Sequence, residues 1–582
     1  MTSIFKQMMK KAVITFPELS SNLVASSSPP ASVLAETEGW DIVQAISLDT
    51  LNGYLQFSEH GPLTLNYQPE GGAVSLSLQA TLGHFSVVPG GSGPNVWLSF
   101  PVDQGTITVN QVPVSLEQAR IILEVRLAFE PPMPSSPSKE STTHRLLVSH
   151  TNATPEVPEV SVLEVIFPPS EDPGKLMESL TAQAFGAWFK ENIDSIRDVV
   201  FAEVSLNSKP ADSQLQWAVP TFASYAYEDA PEGEQGNFAI LIRTLNQPVD
   251  NLFQTLSSVA VPVAQKGSVL VNPQTVLTYS MLPGISHVFS DAKPSDFTLI
   301  NNHTELVNRK GTRFKMKPFK IPSGPNAGTT VRPELVSFDL LFRDKEVFLT
   351  TEAEVTLFPG IHVFITHKSH LGLTIASKKD GSQTLDYVPI SAPEVSHRIE
   401  KSDTNIALEV IIPLVLSILG PIGGGLLKEI GDKVALLILM SILKIGTTAI
   451  IATIGDTGRD DLPEKLPPLD DLLRTVSQGI KWGGQSTRFD AQKADVNGSI
   501  QLGGRLEAKV APGLNDRLIS LANAHIQGKG EYNISEAEAQ DLLDNTATEG
   551  SQRLKDHRSL KHILGAYRFT EKGRSLIEKR VM

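Results

Sequence analysis

The sequence predicts an α+β fold: a large, elongated, strand-rich protein whose antiparallel sheets pack on a few helices. Three observations predict it. Period-two alternation of apolar and polar residues dominates the chain, as in RIILEVRLAFE, where Ile121, Leu123, Val125, Leu127 and Phe129 point one way and Glu124 and Arg126 the other. Helical patterns are few and lie between blocks of strands rather than alternating with them. The 582 residues exceed what one hydrophobic core holds, although repeated β units can fuse into one long body.

In chain order, residues 1–38 read as a flexible leader, with a Ser/Pro/Ala-rich stretch from Ser20 to Ala35. A short helix follows Asp49, with Leu51 and Leu55 inward. Val74, Leu76, Leu78, Ala80 and Leu82 share one face of a strand. Further strands are expected at Val96–Phe100, Thr106–Val109, Arg145–Ser149 and Val160–Phe167. Ser170–Val200 carries Leu176, Leu180, Phe185, Trp188, Phe189, Ile193, Ile196 and Val200 at helical spacing, with Pro173 near its start. After a strand at Phe238–Thr244, Asn272 and Pro273 mark the cap and first position of a helix running to about Phe289, kinked at Leu282-Pro283-Gly284. Strands follow at Val336–Phe342, Val347–Leu357, Ile361–Thr366 and Ser499–Leu502, the last entered by an Asn497-Gly498 hairpin turn. Asn515–Gln527 and Ser535–Asn545 read as helices of a basic C-terminal extension, 513–582.

The net charge of −14 argues against nucleic acid as a partner, because a phosphate backbone would be repelled. Without cysteine there is no disulfide, thiolate metal site or cysteine nucleophile. AVITF is too short for the core of a signal peptide, so a cytoplasmic protein, or one released without a signal peptide, is expected.

No motif of catalysis stands out: there is no G-x-S-x-G elbow, no H-E-x-x-H and no EF-hand loop. GPIGGGLLK lacks the Gly-Lys-Ser/Thr of a phosphate loop. His362, His367 and His370 are close in sequence, but on one strand His362 and His370 share a face and His367 points oppositely. The expectation is therefore no enzyme, no cofactor and no metal.

Two segments stand apart. Residues 406–454 are strongly apolar: the 18 residues Val410–Leu427 carry no charge, and Val434–Ile454 are interrupted only by Lys444. A membrane-inserting helical hairpin, a helix pair buried in protein and an element lying on a membrane surface all fit that pattern, although Pro413, Pro421 and Gly423–Gly425 would break the first helix. RKGTRFKMKPFK places Arg309, Lys310, Arg313, Lys315, Lys317 and Lys320 together with no acid among them, interleaved with Phe314, Met316 and Phe319. Such a run is attracted to an anionic lipid surface, and it equally suits an edge strand kept soluble by lysine.

Three blocks carry a family resemblance: ETEGWDIVQAISLDTLNGYL, WAVPTFASYAYEDAPEGEQGNFAILIRT and GSVLVNPQTVLTYSMLPGISHVF. Together they resemble the TULIP superfamily of tubular lipid-binding proteins, and within it the accessory proteins encoded beside OrfX-type botulinum neurotoxin genes. The resemblance implies highly curved antiparallel sheets wrapped around long helices, enclosing an apolar groove for a lipid or other hydrophobic ligand. The wrapped helix would be Leu176–Val200, with Phe185, Trp188, Phe189, Ile193 and Ile196 lining the core or groove. The halves would be 39–300 and 301–512, the second including 406–454. Toxin-complex proteins are the partners implied beside lipid, and the apolar segment 406–454 adds conditional contact with a membrane.

Overall fold

The computed structural model describes residues 33–508, apart from internal stretches of which the longest are 131–142, 150–159, 402–423 and 444–461. The leader up to residue 32, most of 406–454 and the C-terminal extension 513–582 lie outside the described residues.

The strand pairings are antiparallel throughout the two large sheets. The first has sixteen strands and runs from an edge at Pro220–Glu228 through Asn237–Thr244, Ile42–Ser47 and Gly267–Val271 to Ile500–Ala508 and Gln485–Val496. It continues through Ile480–Trp482, Ala202–Ser205, Thr143–Val148, Arg120–Glu130 and Asn95–Val109 to Leu76–Leu82 and Leu63–Tyr67. The second has eight strands, with Glu334–Arg343, Glu346–Phe358 and the long Ile361–Ser377 at its centre. The halves 39–300 and 301–512 do not map one-to-one on these sheets. Strands 480–508 return to the first sheet, beside Gly267–Val271, so the second sheet is built from the chain between them.

Alternation forms most strands as expected: Ile121, Leu123, Val125 and Leu127 are all buried in one core. Ile42–Ser47, Asn237–Thr244 and Gly267–Val271 differ, being buried on both faces. Ile42, Ile46, Ile240, Ile242, Val269 and Val271 face the main core. Val43, Ala45, Leu241 and Leu270 face a second, smaller core closed by Leu256, Ala260 and Val261. A strand covered on both sides reads as a continuous apolar run.

The helix predicted over Ser170–Val200 spans Lys175–Glu191, stops at Asn192 and resumes for one turn at Asp194–Arg197. Its buried face is Thr181, Ala184, Phe185, Trp188 and Phe189, whereas Leu176, placed inward by its spacing, is 77% exposed. The helix at Pro273 begins as predicted, with the Asn272 side chain accepting from the Gln274 N–H. Its distortion precedes the proline: Leu277–Met281 form a π-helical turn, and the Leu282 N–H reaches back to the Leu277 carbonyl. The Asn497-Gly498 turn joins the last two strands, with Gly498 at φ 72°.

Candidate functional site

The three sequence blocks meet in space. Asp41 heads the strand Ile42–Ser47, between Arg243-Thr244 at the end of one neighbouring strand and Asn272–Thr275 after the other. Its carboxylate, 3% exposed, accepts from Arg243 at 3.0 Å, from the Thr244 N–H at 2.8 Å, from the Thr244 hydroxyl at 3.1 Å and from the Thr275 hydroxyl at 2.8 Å. Trp40 donates its indole N–H to the Phe253 carbonyl, and the Asn272 amide donates to the Trp40 carbonyl. Every oxygen of Asp41 is occupied and its charge is matched, so the cluster holds three distant segments in place rather than offering a reactive group. The sequence signal for it is the Trp-Asp pair ahead of an apolar run; its partners are some 200 to 230 residues away. A cleft of about 310 Å³ lies alongside, lined in part by Glu36, Glu38, Gln274, Arg343 and Asp344. Burial, with Glu36 nearby, raises the Glu38 carboxyl above its ordinary value.

The five residues expected to line an apolar groove all turn inward. Phe185, Trp188, Phe189 and Ile196 are buried in the main core, and Ile193 is half-buried against it. Phe189 packs on Phe100 with ring centroids 5.6 Å apart, and Trp188 meets Phe189 edge-on at 5.2 Å. Gln44 also faces this interior. It is fully buried, and neither its amide oxygen nor its nitrogen has a hydrogen-bond partner among the described residues.

The basic run starts on the edge of the second sheet and continues into a separate two-stranded ribbon. Arg309, Lys310, Arg313, Lys315, Lys317 and Lys320 are all exposed, while Phe314 is buried. Phe314–Lys315 and Phe319–Lys320 form two-residue strands, against Glu334–Leu335 and Thr330–Val331 respectively. Phe314 anchors the run in an aromatic cluster, with centroids 5.1 Å from Phe297 and 5.3 Å from Phe289. Arg313 is engaged within the protein: its guanidinium bonds Glu354 and lies 3.5 Å from Glu334.

Glu354 has a second partner in His362, whose Nδ1 lies 2.6 Å from the other carboxylate oxygen. Burial pushes this carboxyl up, but Arg313 and His362 outweigh it, and the group sits below its ordinary value. On the same face His370 lies 3.2 Å from Glu346. Asp339 is driven up to about 6 by burial and by the neighbouring Glu305 carboxyl. His367 points to the opposite, inner face, as the strand period requires. Ser369 Oγ lies 3.5 and 3.4 Å from its two ring nitrogens, which is no directed base–nucleophile bond. Among the described residues no three His, Cys, Asp or Glu groups are arranged to hold a metal.

His367 meets the apolar segment. Helix Gly424–Leu443 crosses the inner face here, and a Cβ on Gly431 would lie 3.3 Å from the His367 ring. Asp432 accepts from the Tyr387 hydroxyl at 2.5 Å, and the Ser441 carbonyl accepts from Ser280 Oγ at 2.5 Å. Val434–Leu443 are buried without exception. Among the described residues no helix is long and apolar enough to cross a membrane. For this stretch the structure therefore shows burial in protein.

Residues 37–504 match the family described as OrfX-like: Protein OrfX2/OrfX3/P47. Protein OrfX3 of Paraclostridium bifermentans is 23% identical over 504 residues, covering 81% of this chain and 98% of that protein. Protein OrfX3 of Clostridium botulinum (strain Kyoto / Type A2) is 21% identical, covering 81% and 99%. The structure of P47 from Clostridium botulinum A2 shares the fold at a TM-score of 0.52 and 16% identity, over 81% of this chain and 98% of that one. That of P47 from Clostridium botulinum E1 does so at 0.50 and 15%, over 81% and 100%.

Proposed function

Since this chain belongs to the OrfX-like family, we propose that it is a non-enzymatic binding protein, an accessory component of a bacterial toxin system, that docks on anionic lipid surfaces through the strip Arg309–Lys320. The observation that carries this reading is the exposure of all six cations of the strip in a chain of net charge −14, on a ribbon anchored from below by Phe314. Each well-placed cation is attracted to an anionic leaflet by about 1 kcal/mol. Flotation with phosphatidylserine-containing vesicles tests it. Binding should fall by at least about a hundredfold when Arg309, Lys310, Lys315 and Lys320 are changed together to Glu. Equal binding to vesicles of phosphatidylcholine alone, or binding unmoved by the four changes, would refute it.

A second mode is favoured by Gln44. An orphaned amide in an apolar interior is a polar handle for a bound hydrophobic molecule, and Phe185, Trp188 and Phe189 belong to the same core. The tubular lipid-binding architecture belongs to this reading. Native mass spectrometry of the purified protein should find an extractable lipid, and Gln44→Leu should lower its occupancy. A ligand-free wild type would remove this mode and leave the surface one standing.

A further inference from the structure

We propose that the outer face of the second sheet is a proton-operated charge switch that strengthens the binding of strip 309–320 to anionic lipid in mildly acidic solution. The inference rests on the lipid-surface reading above and names its regulation.

The switch is built from two groups of side chains flanking the strip. In the first, one buried carboxylate is shared: Glu354 bonds Arg313 through one oxygen and His362 through the other, and Arg313 also lies 3.5 Å from Glu334. With His362 neutral, the two glutamates outnumber the one arginine. With His362 protonated, the cluster is balanced. His362 is further faced by Thr356 from the same neighbouring strand as Glu354. From the other neighbour it is faced by Glu400, which is itself paired with Arg398. Histidine is the side chain whose charge change ordinarily falls between pH 5 and 8.

In the second group, Asp339 and Glu305 are diagonal neighbours on paired strands, Glu305 opposite Leu341 and Asp339 opposite Val307, and the Asp339 Oδ1 is buried without a partner among the described residues. Two carboxyl groups this close favour holding a proton between them. Asp339 also pairs with Thr350 across the sheet, and Glu352, diagonal to it, is taken up by Arg398. Glu305 begins the strand Glu305–Asn308 that delivers Arg309 and Lys310, and Asp339 lies opposite Val307. Two residues of extended chain span about 7 Å, inside the screening length of about 8 Å at physiological salt. Acidification thus adds one positive charge beneath Arg313 and removes one negative charge behind Arg309. The protons are taken from solvent and no bond other than these is made or broken.

The experiment measures partition of the full chain onto phosphatidylcholine vesicles with about a fifth phosphatidylserine, at about pH 7.5 and about pH 5.5 and constant salt. Affinity should rise about twenty-five-fold at the lower pH, since two charges change and each near the surface is worth about a fivefold change. The double variant His362→Gln, Asp339→Asn should bind equally at the two pH values, to within about twofold. Each single variant should lose part of the rise, which reads the same switch where the double variant does not fold. A wild type that binds equally at both pH values, or a rise that His362→Gln and Asp339→Asn both keep in full, overturns the switch. Absence of binding at both pH values overturns the lipid-surface reading itself.

Discussion

Replacing Asp41 by alanine removes the acceptor around which the three sequence blocks are joined. Arg243, 15% exposed, loses its ion pair and, among the described residues, keeps its bonds to the Gly39 and Pro248 carbonyls. The buried Thr244 N–H and the Thr275 hydroxyl lose the partner they have. Breaking a buried charge pair by deleting one member costs about 3–5 kcal/mol. The two carbonyls that still hold Arg243 place the expected loss near the lower end, at about 3 kcal/mol. Urea unfolding followed by tryptophan fluorescence is the suitable assay, because Trp40 adjoins Asp41, is buried, and stacks on Phe222 at 6.2 Å. Changing Arg243 to methionine in the Asp41→Ala background should recover part of the loss, because it removes the uncompensated charge. A cost below about 1 kcal/mol, or a double-mutant coupling below that figure, would show that the cluster does not hold the blocks together.

His367 makes stability depend on pH. Burial holds its folded value below the ordinary one, against a smaller opposing pull from Asp432. Above about pH 6.5 the ring is neutral in both states, and below it the unfolded chain takes the proton first. Stability should therefore be lost as pH falls from about 6.5 towards the lower folded value, and His367→Leu should flatten that part of the Tm profile. Leu439→Ala, in the helix packed inside the protein, should cost about 3 kcal/mol in urea unfolding; an unchanged midpoint would mean that the helix does not support the core. Gly504→Ala would put a Cβ 2.1 Å from the Asp490 carbonyl oxygen at a bulge between the last two strands, and should lower Tm by several degrees.

Period-two patterns located the strands because alternation follows from the backbone alone: successive side chains must leave a strand on opposite faces. The Asn272-Pro273 helix start and the Asn497-Gly498 turn were legible for the same reason, since each is settled within a few residues. The sequence gathered the cations of the basic run around Phe314, and the tertiary structure buries that phenylalanine while the cations stay exposed. What local pattern does not carry is which strand lies beside which. That strands 480–508 return to Gly267–Val271, that Arg313 is tied to Glu354 across 41 residues, and that His362 and His370 each find a glutamate while His367 lies under Gly431, are decided by long-range pairing. Leu176 shows the limit from the other side: its spacing matches the buried face, but it lies in the first turn of the helix, where the described sheet does not cover it. The amino-acid order determines which faces are apolar; only the closed tertiary structure determines which apolar face meets which, because that choice balances burial over the whole molecule rather than within any one segment.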